Sequence, residues 1–362
     1  MNILIFIIIL FILVVSHEFG HFVVAKKTGM RVDEFSFGFP PKLFGFKKGE
    51  TSYNFNLFPI GGYVKIYGEN SEEEEGNLKD KDRSFKSKPL WKQALVLIAG
   101  VTMNFLLAWI LLSVSYMSGL PASVSNAGDK YKVTDQALTV INVLPNTPAS
   151  IAGLKAGDKI ISLYTEKDSV SVIAPEELKS FIMNHPSDEI FIKIENPDGP
   201  KDIVVKPEMK DGVPVIGISM DIIGELKLPF HKALLEGLKL SWNMTRDTVL
   251  GFYNLIKDGI QGKGDISSLS GPVGIVGIVG DAAKFGFIYL LSFTALISIN
   301  LAVLNLIPFP ALDGGQLLFL LIEKIKGSRI NPKVANTVNG IGFLILIILM
   351  ILITYHDIVK LF

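Results

Sequence analysis

No cysteine occurs in the 362 residues. Its absence excludes a disulfide scaffold, thiolate zinc sites, iron–sulfur clusters and cysteine nucleophiles. Charge is sparse as well. Only 19% of residues are Asp, Glu, Lys or Arg, against about 25% in ordinary soluble domains. The 35 basic side chains are balanced by 35 acidic ones. A chain without a basic excess lacks the electrostatic footprint of a nucleic-acid binder, so no nucleic-acid partner is expected. Histidine is limited to five residues. What fills the chain instead is apolar: 49% hydrophobic residues, 24 of the total being Phe. That is more greasy surface than a disordered chain can leave in water, and with so little charge between them these residues fall into long runs.

A bilayer core about 30 Å thick takes roughly 20 mostly apolar residues to cross as a helix. Four stretches qualify: Asn2 to about Ala25, about Gln93 to Leu120, about Phe285 to Pro308, and about Val338 to Tyr355. The first has no basic leader, and His17 and Glu18 stand where a secretory signal carries small residues for cleavage, so it reads as a retained span. Basic residues gather in the loop after the first span (Lys26, Lys27, Arg31, Lys86, Lys88, Lys92) and in the short loop expected after the third (Lys324, Lys326, Arg329, Lys333). The positive-inside rule puts both loops in the cytoplasm. The long loop between the second and third spans leans acidic (Asp129, Asp135, Glu176, Glu177, Asp188, Glu189), which suits the outer side and leaves both termini outside.

That outer loop carries the pattern of a small folded domain. Strands are expected at Ala137–Val143, Lys159–Leu163, Ile190–Glu195, Asp202–Lys206 and Val215–Met220, with short helices at Ala149–Ala152 and near Pro175–Met183. The order strand, short helix, Ala152-Gly153-Leu154, then Gly157-Asp158-Lys159-Ile160-Ile161 resembles the bacterial PDZ arrangement; another small α+β domain is the alternative. Ile216-Gly217-Ile218 is only weakly like a carboxylate-binding loop. Further on, Leu234, Leu238, Trp242, Thr245, Val249, Phe252 and Ile256 recur at steps of three and four, the mark of a helix with one apolar stripe. Its polar face (Lys239, Asn243, Arg246, Lys257) argues for lying on the membrane or packing against a span rather than crossing. In the first cytoplasmic loop, Glu34–Phe46 and Thr51–Ile66 read as short aromatic strands broken at Phe37-Gly38-Phe39-Pro40-Pro41 and Pro59-Ile60-Gly61-Gly62-Tyr63-Val64-Lys65. They suggest a hairpin dipping into the membrane. Glu72–Glu75 and the mixed charges to Arg83 read as a solvated linker.

Chemistry concentrates in His17-Glu18-Phe19-Gly20-His21. On a helix, positions i and i+4 lie one above the other, so both imidazoles project from one face, as a tetrahedral zinc requires. Glu18 sits beside the first of them and can act as the base that takes a proton from water. Ionisable residues within an apolar span are costly and are functional by default; the competing view is a set of buried, mutually satisfied polar groups. His17 lies about 15 residues into its span, about 22 Å along a helix, toward the cytoplasmic end. Catalytic zinc takes three protein ligands and keeps a fourth position open. His185, His231 and His356 fall in the outer domain, at an interfacial boundary and at the outer end of the last span, out of reach. A carboxylate must complete the set. Asp313 follows the third span in Asn305-Leu306-Ile307-Pro308-Phe309-Pro310-Ala311-Leu312-Asp313-Gly314-Gly315, and that span runs parallel to the first, so all three residues fall at the same end. Pro308 and Pro310 break the helix there, which membrane depth tolerates only where protein or a water-filled cavity covers the backbone. An ordinary turn Asp before two glycines is the alternative for Asp313.

These segments together resemble the site-2 protease family of intramembrane zinc metalloproteases, in its RseP-type bacterial branch, over nearly the whole chain. Gly100-Val101-Thr102-Met103-Asn104 is similar to that family's GxxxN motif, and Ser270-Gly271-Pro272-Val273-Gly274-Ile275 also looks familial. The resemblance implies a polytopic α-helical membrane protein with four transmembrane helices, a membrane-associated β-hairpin region and one α+β PDZ-like extracytoplasmic domain. Relatives with two such domains exist, and only one fits here. Implied boundaries are 1–120 for the first membrane half, 121–226 for the PDZ-like domain, 227–284 for the amphipathic helix and linker, and 285–362 for the second membrane half. Zn²⁺ would be held by His17, His21 and Asp313, with Glu18 as base. Asn305, and with it Asn104, would place substrate or stabilise the oxyanion; a buried interhelical Asn is the alternative for each. Expected partners are the lipid bilayer of a bacterial cell membrane and single-pass transmembrane substrates such as anti-sigma factors, with signal-peptide remnants as a further class. A membrane ion transporter and a non-enzymatic PDZ scaffold are the competing functions. Carriers of the first kind show internal repeat symmetry, which this sequence lacks.

Overall fold

The computed structural model describes residues 1–69, 78–172, 174–262 and 271–360; Glu72–Glu75 and Ser270 lie outside these, while the far end of the expected linker is not free, since Asp80 pairs with Arg31 at 2.9 Å and Arg83 with Glu50 at 2.8 Å. The chain forms two compact units. One comprises Met1–Ser113, Leu234–Ala283 and Leu290–Phe362, the other Val114–Ala233 and Lys284–Tyr289.

The first unit is built on helices. An unbroken apolar run from Ile3 to Val15 opens α1 (Asn2–Lys27), whose last turn carries Lys26 and Lys27 against the helix C-terminus. The chain then forms β1 (Val32–Lys48) and β2 (Thr51–Ile66), and α2 (Leu90–Ser118) begins directly after Pro89. The two strands are longer than the sequence pattern suggests. Phe35 lies opposite Tyr53 on one side and Val64 on the other, and Ser36 likewise faces Asn54 and Tyr63, so β1 is sandwiched between the two halves of β2. Gly61 and Gly62 do not end the strand; they let its second half swing back along β1. Phe39, Leu43, Phe44, Phe46, Leu57 and Phe58 remain exposed around the hairpin.

After the second unit the chain continues through α6 (Phe230–Ile260), α7 (Pro272–Phe285), α8 (Phe287–Leu306), α9 (Asp313–Lys326) and α10 (Pro332–Val359). Among the described residues, α1, α2, α8 and α10 are long and apolar enough to cross a membrane. The amphipathic α6 packs along two of these helices: Leu240, Met244 and Phe252 lie on Ala108, Leu112, Ala295 and Ile299, the Trp109 indole donates to the Leu234 carbonyl at 2.8 Å, and Thr248 donates to Asn300 at 3.1 Å.

Two helices correct the sequence reading. The segment after Asp313, expected as a short loop, is α9, and the stretch ahead of the third span is α7. Helix α7 begins with Pro at its first turn, and buried Asp357 from α10 accepts the Gly274 amide at 2.8 Å, capping it from outside. Val279 of α7 packs on Ile9 and Leu13 of α1. Lipid gives helices little hydrophobic reason to associate, so close approach through small residues matters. Gly20 supplies it: a Cβ there would stand 2.3 Å from the Ala99 carbonyl oxygen of α2.

The second unit is a sheet with short helices. Its elements are β3 (Leu120–Ser123), α3 (Val124–Ala127), β4 (Thr134–Val143), α4 (Pro148–Ala152), β5 (Lys159–Tyr164), β6 (Ser169–Ser171), α5 (Pro175–Asn184), β7 (Ile190–Asn196), β8 (Gly199–Val205), β9 (Glu208–Lys210), β10 (Val213–Val215) and β11 (Ile218–Leu226). The main sheet has the order β3-β11-β4-β5-β7-β8, with β6 beside β5. Alternating burial along β7 and β8 turns Ile190, Ile192, Ile194, Ile203 and Val205 onto Leu154, Leu163, Leu178 and Phe181. At Ile216-Gly217, main-chain groups are already engaged: the Ile216 carbonyl accepts from Ala149 and the Gly217 carbonyl from Leu144, both at 2.9 Å.

Candidate metal centre

Helix α1 aims His17 and His21 from one face, as the four-residue spacing dictates, and both rings are buried. Asp313 comes to them from the opposite end of the sequence. Helix α8 ends at Leu306, and the chain runs without helical structure until Asp313 opens α9. Two glycines make this approach feasible. A Cβ on Gly314 would lie 2.2 Å from the Ile307 carbonyl oxygen, and one on Gly315 would lie 2.2 Å from that of Phe309. The first turn of α9 therefore tucks against the break that precedes it.

His17 Nε2 lies 3.1 Å from His21 Nε2 and 3.1 Å from Asp313 Oδ2, which is 3.4 Å from His21 Nε2. These three could hold a metal ion, and they are the one such cluster of His, Cys, Asp or Glu among the described residues. The donor set fits zinc on two grounds. Ligands at 2.0–2.1 Å on the corners of a tetrahedron stand about 3.3 Å apart, which is the spacing here. Asp313 Oδ2 is also buried without a hydrogen-bond partner, as an oxygen reserved for a cation would be. His21 Nδ1 lies 2.8 Å from the Val96 carbonyl oxygen. Donating there fixes the proton on Nδ1 and leaves Nε2 its lone pair.

Glu18 points into the same space and accepts the Val64 amide of β2. A cavity of about 140 Å³ is lined by His17, Glu18, His21, Asp313, Tyr63, Val64 and Glu69 among others. Asn305, in the last turn of α8, has Nδ2 3.4 Å from His17 Nε2, on the side of the three donor atoms. Asn104 is at the ring's other nitrogen, with Nδ2 3.4 Å from His17 Nδ1.

Gly100 of α2 faces both imidazoles. A Cβ there would stand 2.5 Å from His21 Nε2 and 2.8 Å from His17 Cε1. Gly100→Ala is therefore expected to lower zinc affinity by about ten-fold or more, measured by competition with a chelator. Gly277→Ala, a helical position with nothing within 4 Å, should leave affinity unchanged.

Glu69 escaped the sequence reading. It lies just beyond β2, and burial pushes its carboxyl up to about 7; the Asp313 and Glu18 carboxylates add to this, while His21 and a hydrogen bond from Gln316 oppose it. Its only mark in the sequence is a single Glu after Gly68, beside a run of charges that reads as linker. Glu69, Phe85 and Leu97 also border a second cavity of about 290 Å³, which continues to Gln316, Glu323, Arg329 and Asn336.

The peptidase family M50 model matches residues 5–349. The chain belongs to peptidase family M50, the site-2 proteases. Among curated relatives, the zinc metalloprotease RasP of Geobacillus kaustophilus is 30% identical over 439 residues, covering 100% of this chain and 98% of the relative. The regulator of sigma-W protease RasP of Bacillus subtilis is 30% identical over 436 residues, covering 99% and 98%. This M50 peptidase is thus a membrane zinc metalloprotease.

Proposed function

We propose that this M50 peptidase hydrolyses a peptide bond inside the membrane-spanning segment of single-pass proteins, with zinc held by His17, His21 and Asp313. The observation that carries the reading is the tetrahedral-edge spacing of three donors, two of them buried on a helix of spanning length and the third just beyond the end of another. Zinc bound there supplies Lewis acidity, polarising the scissile carbonyl and acidifying the attacking water. Glu18 takes the water's proton and returns it to the departing amine, held in line by its hydrogen bond to the Val64 amide. The Asn305 amide donates to the carbonyl oxygen as negative charge develops on it.

A spanning helix has its peptide groups locked in its own hydrogen bonds, so cleavage requires local unwinding. The Gly62–Ile66 half of β2 borders the cavity through Tyr63 and Val64, and an unwound stretch can add to it as a further strand. The second unit is read as a PDZ-like extracytoplasmic domain that delays substrates still carrying bulky outer parts, within boundaries 121–226. The 227–284 segment is the linker, and 1–120 and 285–362 are the two membrane halves. The metal faces the cytoplasmic side of the bacterial cell membrane. Anti-sigma factors are the proposed substrates, in keeping with a Bacillus subtilis relative named as a regulator of sigma-W protease.

The test is a single-pass reporter co-reconstituted with the protein in liposomes. Cleavage within the reporter's apolar segment should stop on chelation and return with stoichiometric zinc. Cuts confined to the reporter's soluble parts, or ion flux without proteolysis, would defeat the proposal.

A further inference from the structure

Both imidazoles of α1 lean on the same face of α2. Val96, Gly100 and Asn104 follow one another at four-residue steps, so they form a single row along that helix. The Val96 carbonyl meets His21 Nδ1 at 2.8 Å. Gly100 leaves the clearance in which both rings sit. Asn104 meets His17 Nδ1 at 3.4 Å. The row is thus matched to the i, i+4 histidine pair: an acceptor for one ring, a gap, and an amide for the other.

The amide's orientation carries the argument. His17 Nε2 faces His21 Nε2 and Asp313 Oδ2. If that nitrogen offers a lone pair to zinc, the ring proton sits on Nδ1 and needs an acceptor. Asn104 Nδ2 is a donor and cannot serve. Its other atom, Oδ1, is buried and has no hydrogen-bond partner, while the whole residue is 0% exposed. Half a turn of the side-chain amide exchanges the two atoms at no cost in shape, since N and O are nearly identical in size. Oδ1 then accepts from His17 Nδ1–H, and two defects vanish together: a donor facing a donor, and an orphaned buried oxygen. Helix α2 is held for this contact by Ser298 of α8, whose hydroxyl donates to the Asn104 carbonyl at 2.8 Å.

The geometry points to Asn104 as a positioning residue that accepts the His17 Nδ1 proton through Oδ1, fixing the tautomer and ring angle with which His17 meets zinc. It does not touch substrate. The Gly100-x-x-x-Asn104 spacing follows from the same row: clearance for two rings, then an acceptor one turn on.

This inference rests on His17 being a zinc ligand, so the experiment includes His17→Ala. Zinc affinity of each purified protein is measured by chelator competition, and reporter cleavage at saturating zinc is resolved into kcat and KM. Asn104→Leu, which keeps the number and branching of the side-chain heavy atoms and removes the acceptor, is expected to weaken zinc binding about 10- to 100-fold, with KM at the wild-type value. Asn104→Asp restores an acceptor and should bring affinity back to the wild-type value or above. Wild-type zinc affinity in Asn104→Leu, or a raised KM with affinity intact, would overturn the positioning role. Equal loss of affinity in the Leu and Asp variants would also overturn it, because both fill the site while only one accepts. If His17→Ala itself keeps wild-type affinity, the ligand assignment beneath the inference fails instead.

Discussion

Glu18→Gln is expected to reduce cleavage of a transmembrane reporter by at least about 10³-fold, in the range that loss of a general base produces, while zinc content stays at the wild-type level. Gln keeps the shape of the side chain and an oxygen able to accept the Val64 amide, so the variant should fold and stay in position. What it loses is the capacity to take a proton from water and hand it to the leaving amine. Glu18 is not part of the three-residue donor cluster, which separates this variant from any that empties the site. The measurement pairs a cleavage time course with elemental analysis of the same preparation. Full activity would end the assignment of Glu18 as base, and loss of zinc along with activity would move it into the ligand set.

Asp313→Asn should have the second large effect, on the metal itself. The amide matches the carboxylate in size but carries no charge, and its nitrogen cannot donate a lone pair. Outer-shell losses cost about 10–100-fold in metal affinity; loss of an inner ligand should exceed that range. Activity should fall in step with zinc occupancy and recover only in part at high zinc. Unchanged occupancy at wild-type zinc levels would remove Asp313 from the ligand list. The outcome also bears on the break between α8 and α9, where the close packing of Gly314 and Gly315 on Ile307 and Phe309 carries Asp313 to the histidines.

Much of this centre was legible in the sequence because helical periodicity is rigid. A spacing of four residues determines that His17 and His21 share a face, whatever surrounds them. Asp313 was reachable by elimination, since the three other histidines lie at the wrong depth and the paired prolines mark an interruption. The support around the ligands was not legible. Val96 acts through its main-chain carbonyl, which every residue possesses, so no side chain announces it. Glu69 was masked by its charged neighbours, and its burial depends on contacts from distant segments such as Gln316. Helices α7 and α9 were hidden for different reasons. The first is short and punctuated by glycines, with a cap supplied from Asp357 some eighty residues on. The second was read as a basic loop because its lysines fall in its last turn. The hairpin deceived through its glycines, which usually end strands and here allow β2 to embrace β1 from both sides.

The contact between α1 and α2 at Gly20 has a mechanical consequence. Backbone meets backbone there, with the Met103 side chain packed beside the contact. The wall that carries the imidazoles is therefore stiff, and it cannot retreat when a peptide arrives. The aspartate's side is braced in the same way, because Gly314 and Gly315 approach the Ile307 and Phe309 carbonyls as closely. The catalytic cup is clamped by main chain on both of its jaws.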